Sequence, residues 1–228
     1  MREHLVFMLT SALGSMGDLA GHERRGSWSW PGRSAILGLC GAALGLRRED
    51  DFSALDALGM AVATFSSGTS LRDYHTIETV PSAAAKHPQS RADALRRGKG
   101  RTSTTITLRD YRMGPLYGVA LWGEGLEALE DALRRPAFTL YLGRKSCPLA
   151  APLDPQRVDA PDAASALSAL RLPPWRAGER AQSIATEEDL PGGRVETRHD
   201  RPTDRCAWHF APRAVRILAC DIAPGVAA

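Results

Sequence analysis

The order in which apolar periodicity changes along the chain most constrains what it can fold into. Residues 4–10 (HLVFMLT) alternate over β-forming residues and read as a first strand. A glycine-rich loop over residues 11–32 follows, and Pro31-Gly32-Arg33-Ser34 then opens the run at 35–45 (AILGLCGAALG), a helix that Gly45 ends. Gly38, Gly41, Ala42 and Gly45 recur at helical spacing. They predict a smooth face lying close against a sheet, which would offset a helix cost of about 1 kcal/mol per glycine. Residues 60–67 (MAVATFSS) form a second strand, and residues 102–108 and 117–122 are two more. After them, residues 124–134 make an amphipathic helix with Leu126, Leu129 and Leu133 on one face, stopped by Pro136, and residues 139–142 read as a further short strand. Strand, helix, strand, long excursion, strand, helix, strand is the split βαβ order of a ferredoxin-like α+β sheet.

The long excursion carries the chain's charge. Net charge is only +3, but residues 86–112 hold eight Lys/Arg against two acids, a local +6, while the rest of the chain carries 21 basic and 24 acidic residues. Extended arms flank this segment, so a protruding hairpin is expected, with its charges lifted to where a polyanion can reach them. Gly98, Gly100 and the threonine-rich stretch at 102–107 suit backbone contact to phosphates. A solvated loop without a ligand is the plain alternative.

Beyond Cys147, prolines 148, 152, 155, 161, 173 and 174 mark a linker, with one short helix near residues 163–170. A β-rich end follows, with a Pro191-Gly192-Gly193 turn and a last strand at 214–221. The expected division is therefore residues 1–148 as the sheet domain and 149–228 as a linker with a small β-rich subdomain. Neither an internal repeat nor a long low-complexity tract is expected. Hydrophobic content of 43% supports a real core, and no run is apolar for long enough to act as a leader or to span a membrane, so a cytoplasmic protein is expected.

Reactive groups are sparse. Cys40, Cys147, Cys206 and Cys220 form no CxxC pair, so neither a zinc knuckle nor a disulfide framework is expected, and Cys147 reads as an apolar filler. No phosphate-binding loop, HExxH or GxSxG sequence occurs, and His4, His22, His75, His87, His199 and His209 are isolated from one another. No cofactor or metal is called for. The best catalytic candidate is Asp73-Tyr74-His75, in which His75 with Tyr74 or Lys86 would supply the base and acid of RNA cleavage. Arg33 at a helix start would add a bidentate phosphate partner to free backbone N–H groups, with Ser34 as the alternative helix cap. Arg144 and Lys145 follow the strand at 139–142, where Tyr141 could stack on a base.

Three segments together resemble a known family. Pro31-Gly32-Arg33-Ser34 with the following helix, Leu71-Arg72-Asp73-Tyr74-His75-Thr76, and Tyr141-Leu142-Gly143-Arg144-Lys145-Ser146-Cys147-Pro148-Leu149 are similar to segments of the CasD (Cas-five) subunits of Cascade, the type I-E CRISPR surveillance complex. Thr186-Glu187-Glu188 and Asp200-Arg201-Pro202 extend the resemblance over nearly the whole chain. The family commonly has a Trp-containing Pro-Leu/Met-Gln-Ser/Ala-Trp-Gly run after the first strand; here residues 12–17 read ALGSMG. The resemblance implies a ferredoxin-like RAMP fold with a thumb hairpin at about residues 74–111. It also implies a non-catalytic role: capping the 5′ handle of the CRISPR RNA and bending it. The implied partners are a Cas-seven type backbone subunit, the large PAM-reading subunit and, indirectly, target DNA. RNA-binding candidates are Arg25, Arg33, Ser34, Arg72, Tyr74, His75, Lys99, Arg101, Tyr141, Arg144, Lys145 and Ser146. A metal-independent repeat-processing endoribonuclease is the alternative, as in some relatives from other subtypes.

Overall fold

The computed structural model of the chain describes residues 1–20 and 23–226, so His22 lies outside the described residues. In chain order the first half contains β1 (Arg2–Thr10), β2 (Leu13–Gly14), β3 (Gly17–Ala20), β4 (Arg24–Ser27), α1 (Arg33–Leu44), α2 (Ser53–Asp56), β5 (Gly59–Ser66), β6 (Thr69–Thr79), α3 (Arg91–Gly98) and β7 (Ser103–Met113). Then come β8 (Leu116–Trp122), α4 (Leu126–Arg134), β9 (Gln156–Ala160), α5 (Ala163–Leu167), β10 (Arg171–Leu172), β11 (Ala181–Thr186), β12 (Arg194–Asp204), β13 (His209–Ile222) and β14 (Gly225–Val226).

Seven strands form an antiparallel sheet in the order β12-β13-β11-β5-β8-β1-β9. Counted along the chain, β1, β5, β8 and β9 lie side by side as fourth, first, third and second, with α1 between the first pair and α4 between the last. The fourth strand is thus β9, not the segment at 139–142 expected from its β-rich composition. That segment leaves the sheet, and among the described residues its β-bridge joins Tyr141 to Pro148.

Both faces of the sheet are covered. Leu5, Phe7 and Leu9 of β1 pack with Leu37 and Cys40 of α1 and with Leu129 and Leu133 of α4. Val6 joins Ala61, Ala120, Ala166 and Leu167 under α5 on the opposite face. Residues 4–10 are therefore all buried, and each large side chain removed from water contributes about 1.5–3 kcal/mol. The Cys40 thiol, buried in this core, is pushed up to about 12.

The glycine face of α1 serves a different neighbour from the one expected. Gly41 leaves room for the Phe52 ring, since a Cβ there would lie 2.4 Å from its edge, whereas Gly38 is exposed with open space beside it. Gly45 ends the helix in the left-handed conformation, φ 82°.

No sheet boundary falls at residue 148: β9, β11, β12 and β13 continue the sheet begun by β1, β5 and β8. Separate burial of a small β-rich unit is unnecessary because β11 finds a free edge on β5, pairing Ile184 with Ala63. The other large unit is the hairpin β6–β7, in register from Thr69 opposite Met113 to Thr79 opposite Ser103. Its end is not an open loop. Helix α3 caps it, with the Ser90 hydroxyl accepting from the Asp93 N–H at 3.1 Å. Arg96 and Arg97 pair with Asp93 on this helix.

Candidate nucleic-acid interface

Strand alternation sorts the candidate residues onto the two faces of the hairpin. The tetrapeptide Leu-Arg-Asp-Tyr occurs twice, at 71–74 and 108–111. The hairpin register sets the two copies antiparallel against each other: Leu71 faces Tyr111, Arg72 faces Asp110, Asp73 faces Arg109 and Tyr74 faces Leu108. One face therefore carries Arg72, Tyr74, Asp110 and Arg112, and the other carries Asp73, His75, Arg109 and Tyr111. The short strand β4 runs parallel to β7, with Arg24 beside Leu108 and Arg25 beside Arg109, and adds one arginine to each face.

The second of these faces meets the loop at residues 141–149. That loop is pinned by main-chain bonds: the Ser15 N–H donates to the Leu142 carbonyl (3.0 Å), the Leu142 N–H to Cys147 (2.8 Å) and the Cys147 N–H to Arg144 (2.8 Å). Leu142 and Cys147 are buried anchors. Gly143 takes φ 87°, and a Cβ there would sit 1.6 Å from the Ser15 oxygen, so only glycine fits. The tight turn presents Arg144, Lys145 and Ser146, of which the last two are exposed. It also lays the Arg144 guanidinium on the Tyr111 ring, 4.5 Å from its centre.

Two guanidinium nitrogens here, Nη1 of Arg144 and Nε of Arg109, are buried and have no hydrogen-bond acceptor among the described residues. A buried donor left unsatisfied costs about 1–3 kcal/mol, more when charged. An acceptor brought by a ligand would remove that cost, and phosphate oxygens match guanidinium geometry.

The remaining candidates fall elsewhere. Lys99 and Arg101 lie just past α3, where Lys99 is left-handed (φ 47°) and Arg101 Nε donates to Gly98. They flank the start of β7 at Ser103, roughly 20 Å from Arg109 at about 3.3 Å per residue. Tyr141 is half-buried at the root of the loop.

Arg33 and Ser34 do not belong to this surface. Arg33 is 6% exposed. Its Nη1 binds both oxygens of Glu187 at 2.9 Å, and its Nη2 donates to the carbonyls of Asp56 (2.7 Å) and Leu58 (2.8 Å). The helix start is closed as well, because Asp200 Oδ2 accepts from the Arg33 N–H at 2.7 Å. Arg213 completes the cluster by binding Asp200 and Glu187. Gly32, not Ser34, is the cap residue of α1, and Ser34 sits inside the first turn. The three segments Pro31-Gly32-Arg33-Ser34, Thr186-Glu187-Glu188 and Asp200-Arg201-Pro202 thus meet in one internal ion cluster.

The pairing proposed for RNA cleavage is also separated. Tyr74 and His75 are consecutive strand residues and point to opposite faces, while Lys86 lies beyond the end of β6. Sequence reasoning passed over Arg24, Arg109, Tyr111 and Arg112 as site residues. The repeated tetrapeptide was the available signal, since an antiparallel pairing of the two copies sets Arg109 and Tyr111 on one face.

An antiparallel sheet with helices on both faces, a long basic hairpin and a glycine-fixed arginine loop at its root defines a mixed α+β protein with a basic arm. The chain belongs to the CRISPR-associated Cas5 family, whose description, CRISPR-associated protein (Cas_Cas5), matches residues 4–216. It is 32% identical over 231 residues to the CRISPR system Cascade subunit CasD of Escherichia coli (strain K12), covering 93% of this chain and 94% of that one. Among solved structures it is similar to a chain of a CRISPR RNA-guided surveillance complex, with TM-score 0.71, 24% identity, and 96% and 90% of the two chains covered. It is also similar to a Cas protein crystal structure, with TM-score 0.65, 28% identity, and coverage of 97% and 98%.

Proposed function

We propose that this chain is a non-catalytic CRISPR RNA-binding subunit of a type I-E Cascade complex, and that it caps the 5′ handle of the guide. The strand order fourth, first, third, second is that of a ferredoxin-like fold, and we read the hairpin β6–β7 with α3 as the thumb that bends the RNA. The observation that carries this reading is the pair of buried, unmatched guanidinium donors of Arg109 and Arg144 at the root of a +6 segment. Similarity to the Escherichia coli Cascade subunit supports the complex, and with it a Cas-seven type backbone subunit and the large PAM-reading subunit as neighbours in the cytoplasm. Arg25, His75, Arg144, Lys145 and Ser146 border the handle at this root, with Tyr141 beneath them. Arg72 and Tyr74 contact the strand from the other side of the hairpin, and Lys99 and Arg101 from its tip. Target DNA is met only through the paired guide.

The test replaces Arg109 and Arg144 with glutamine, singly and together, and follows binding of handle RNA across a salt series. Each lost phosphate contact should lower the slope of log affinity against log salt by about 0.7. Unchanged slopes and unchanged RNA retention in the assembled complex would overturn the reading. RNA cleavage by the purified chain, abolished by His75→Ala, would favour a processing nuclease instead.

A further inference from the structure

The opposite face of the hairpin holds a second arginine arrangement, organised by one carboxylate. Asp110 sits between two strands: Oδ2 accepts from Arg24 (Nε 2.9 Å, Nη2 2.6 Å) and Oδ1 accepts from Arg72 Nε at 2.9 Å. Its side chain is only 14% exposed, whereas those of Arg24 and Arg72 are 58% and 45% exposed. The carboxylate therefore forms the floor and the two guanidinium groups form open jaws. Arg112, Ser27 and Ser70 join them around a cleft of about 250 Å³. Three arginines against one acid leave this cleft at net +2. Its volume lies below the roughly 300–1,000 Å³ of sites for whole small molecules. Both arginines keep N–H groups unengaged by Asp110, and paired planar guanidinium groups are suited to the oxygens of one phosphodiester. The Asp110 carboxyl is held below its ordinary value by hydrogen bonds from Arg72 and Arg24, in keeping with a constant negative floor.

We propose that Arg24 and Arg72 form a clamp for one backbone phosphate of single-stranded RNA on this face, and that Asp110 is its positioning residue. The proposal rests on the RNA-binding reading above and deepens it: it gives Arg72 a partner, Arg24, and a carboxylate, Asp110, that sets the two side by side. It makes a prediction of unusual sign. Removing a negative charge beside a polyanion should tighten binding if only the field matters. If Asp110 positions the jaws, removal should weaken it.

The experiment measures binding of the full-length chain to two fluorescent RNAs, one carrying the repeat-derived 5′ handle and one a polyuridylate of equal length, over a salt series. Asp110→Asn is compared with Glu78→Gln, which makes the same charge change on the same face nearer the tip. The expected result is a fivefold to tenfold loss for D110N on both RNAs, because phosphate contacts carry no base information. The salt slope should fall by about 0.7, one phosphate contact's worth. E78Q should bind equally or more tightly, and Asp110→Glu should recover most of the loss. A combined Arg24→Gln and Arg72→Gln variant should lose at least as much with Asp110 intact, and D110N added to it should cause no further loss. Thermal unfolding of each variant separates loss of the clamp from loss of the fold. D110N binding as tightly as the unaltered chain, or more tightly, overturns the clamp. Absence of salt-dependent RNA binding by the unaltered chain overturns the RNA-binding reading itself.

Discussion

Replacing Arg33 with alanine distinguishes the role this residue has inside the fold from the phosphate-binding role its place at a helix start implies. The substitution removes the guanidinium that bridges α1, the α2–β5 turn and the end of β11. Glu187 is not stranded, because Arg213 Nη1 stays at 3.0 Å and the Met60 N–H donates to it at 3.2 Å. The carbonyls of Asp56 and Leu58 do lose their donor, at about 1–3 kcal/mol each when buried. A stranded buried charge would cost about 3–5 kcal/mol, but with Glu187 still paired the two carbonyls set the scale. Taking about 3–5 kcal/mol for the whole change, and about 2–4 °C per kcal/mol for a domain of this size, Tm should fall by about 6–20 °C. Differential scanning calorimetry measures the fall, and a salt series on the folded variant measures RNA binding. The RNA salt slope should stay that of the unaltered chain. A Tm within about 2 °C of the unaltered chain, together with a slope reduced by about 0.7, would refute the argument and return Arg33 to the RNA-binding surface.

Two further outcomes follow from the geometry. Gly143→Ala should destabilise the chain by at least about 1–2 kcal/mol from its left-handed backbone alone, and should weaken RNA binding tenfold or more, because the loop must leave Ser15 and takes Arg144 with it; unchanged Tm and affinity would show that the loop is not fixed this way. The carboxyls of Asp110 and Glu130 are held below their ordinary values of 3.8 and 4.5 by arginine hydrogen bonds, and that of Asp162 by backbone N–H groups at the start of α5. These groups favour the folded state fully above those ordinary values, and the contribution is lost as pH falls through the lower folded-state values. Tm should therefore hold between pH 7 and 5 and decline below about pH 4.5, and a flat profile to pH 3 would contradict it.

Elements with strong periodicity were legible in the sequence. The helix of Leu126, Leu129 and Leu133, the Gly45 stop and the strands at 59–66 and 116–122 lie within a residue or two of expectation. The segment at 139–142 is not a strand because its apolar residues anchor a turn: Leu140 and Leu142 are buried, and Gly143 just beyond them lies against Ser15. Helix α3 was hidden by charge: Arg91, Arg96 and Arg97 leave it no apolar face, and it is held by the Ser90 cap and ion pairs to Asp93. For the candidate site, the basic arm and the Arg144 loop were legible from charge and motif. The fate of Arg33 was not, because its partner Glu187 lies 154 residues away and only the docking of β11 on β5 brings it near.

That docking has a consequence for synthesis. At roughly 5–20 residues per second, Glu187 leaves the ribosome about 8–30 s after Arg33. Until it does, β5 presents an unpaired hydrogen-bonding edge and Arg33 a buried charge without its counter-ion. An edge of that kind is a template for pairing with another nascent chain. The basic hairpin is complete long before the strands that close the sheet beneath it, so a fragment ending near residue 148 would carry the whole arm on a sheet still open to aggregation.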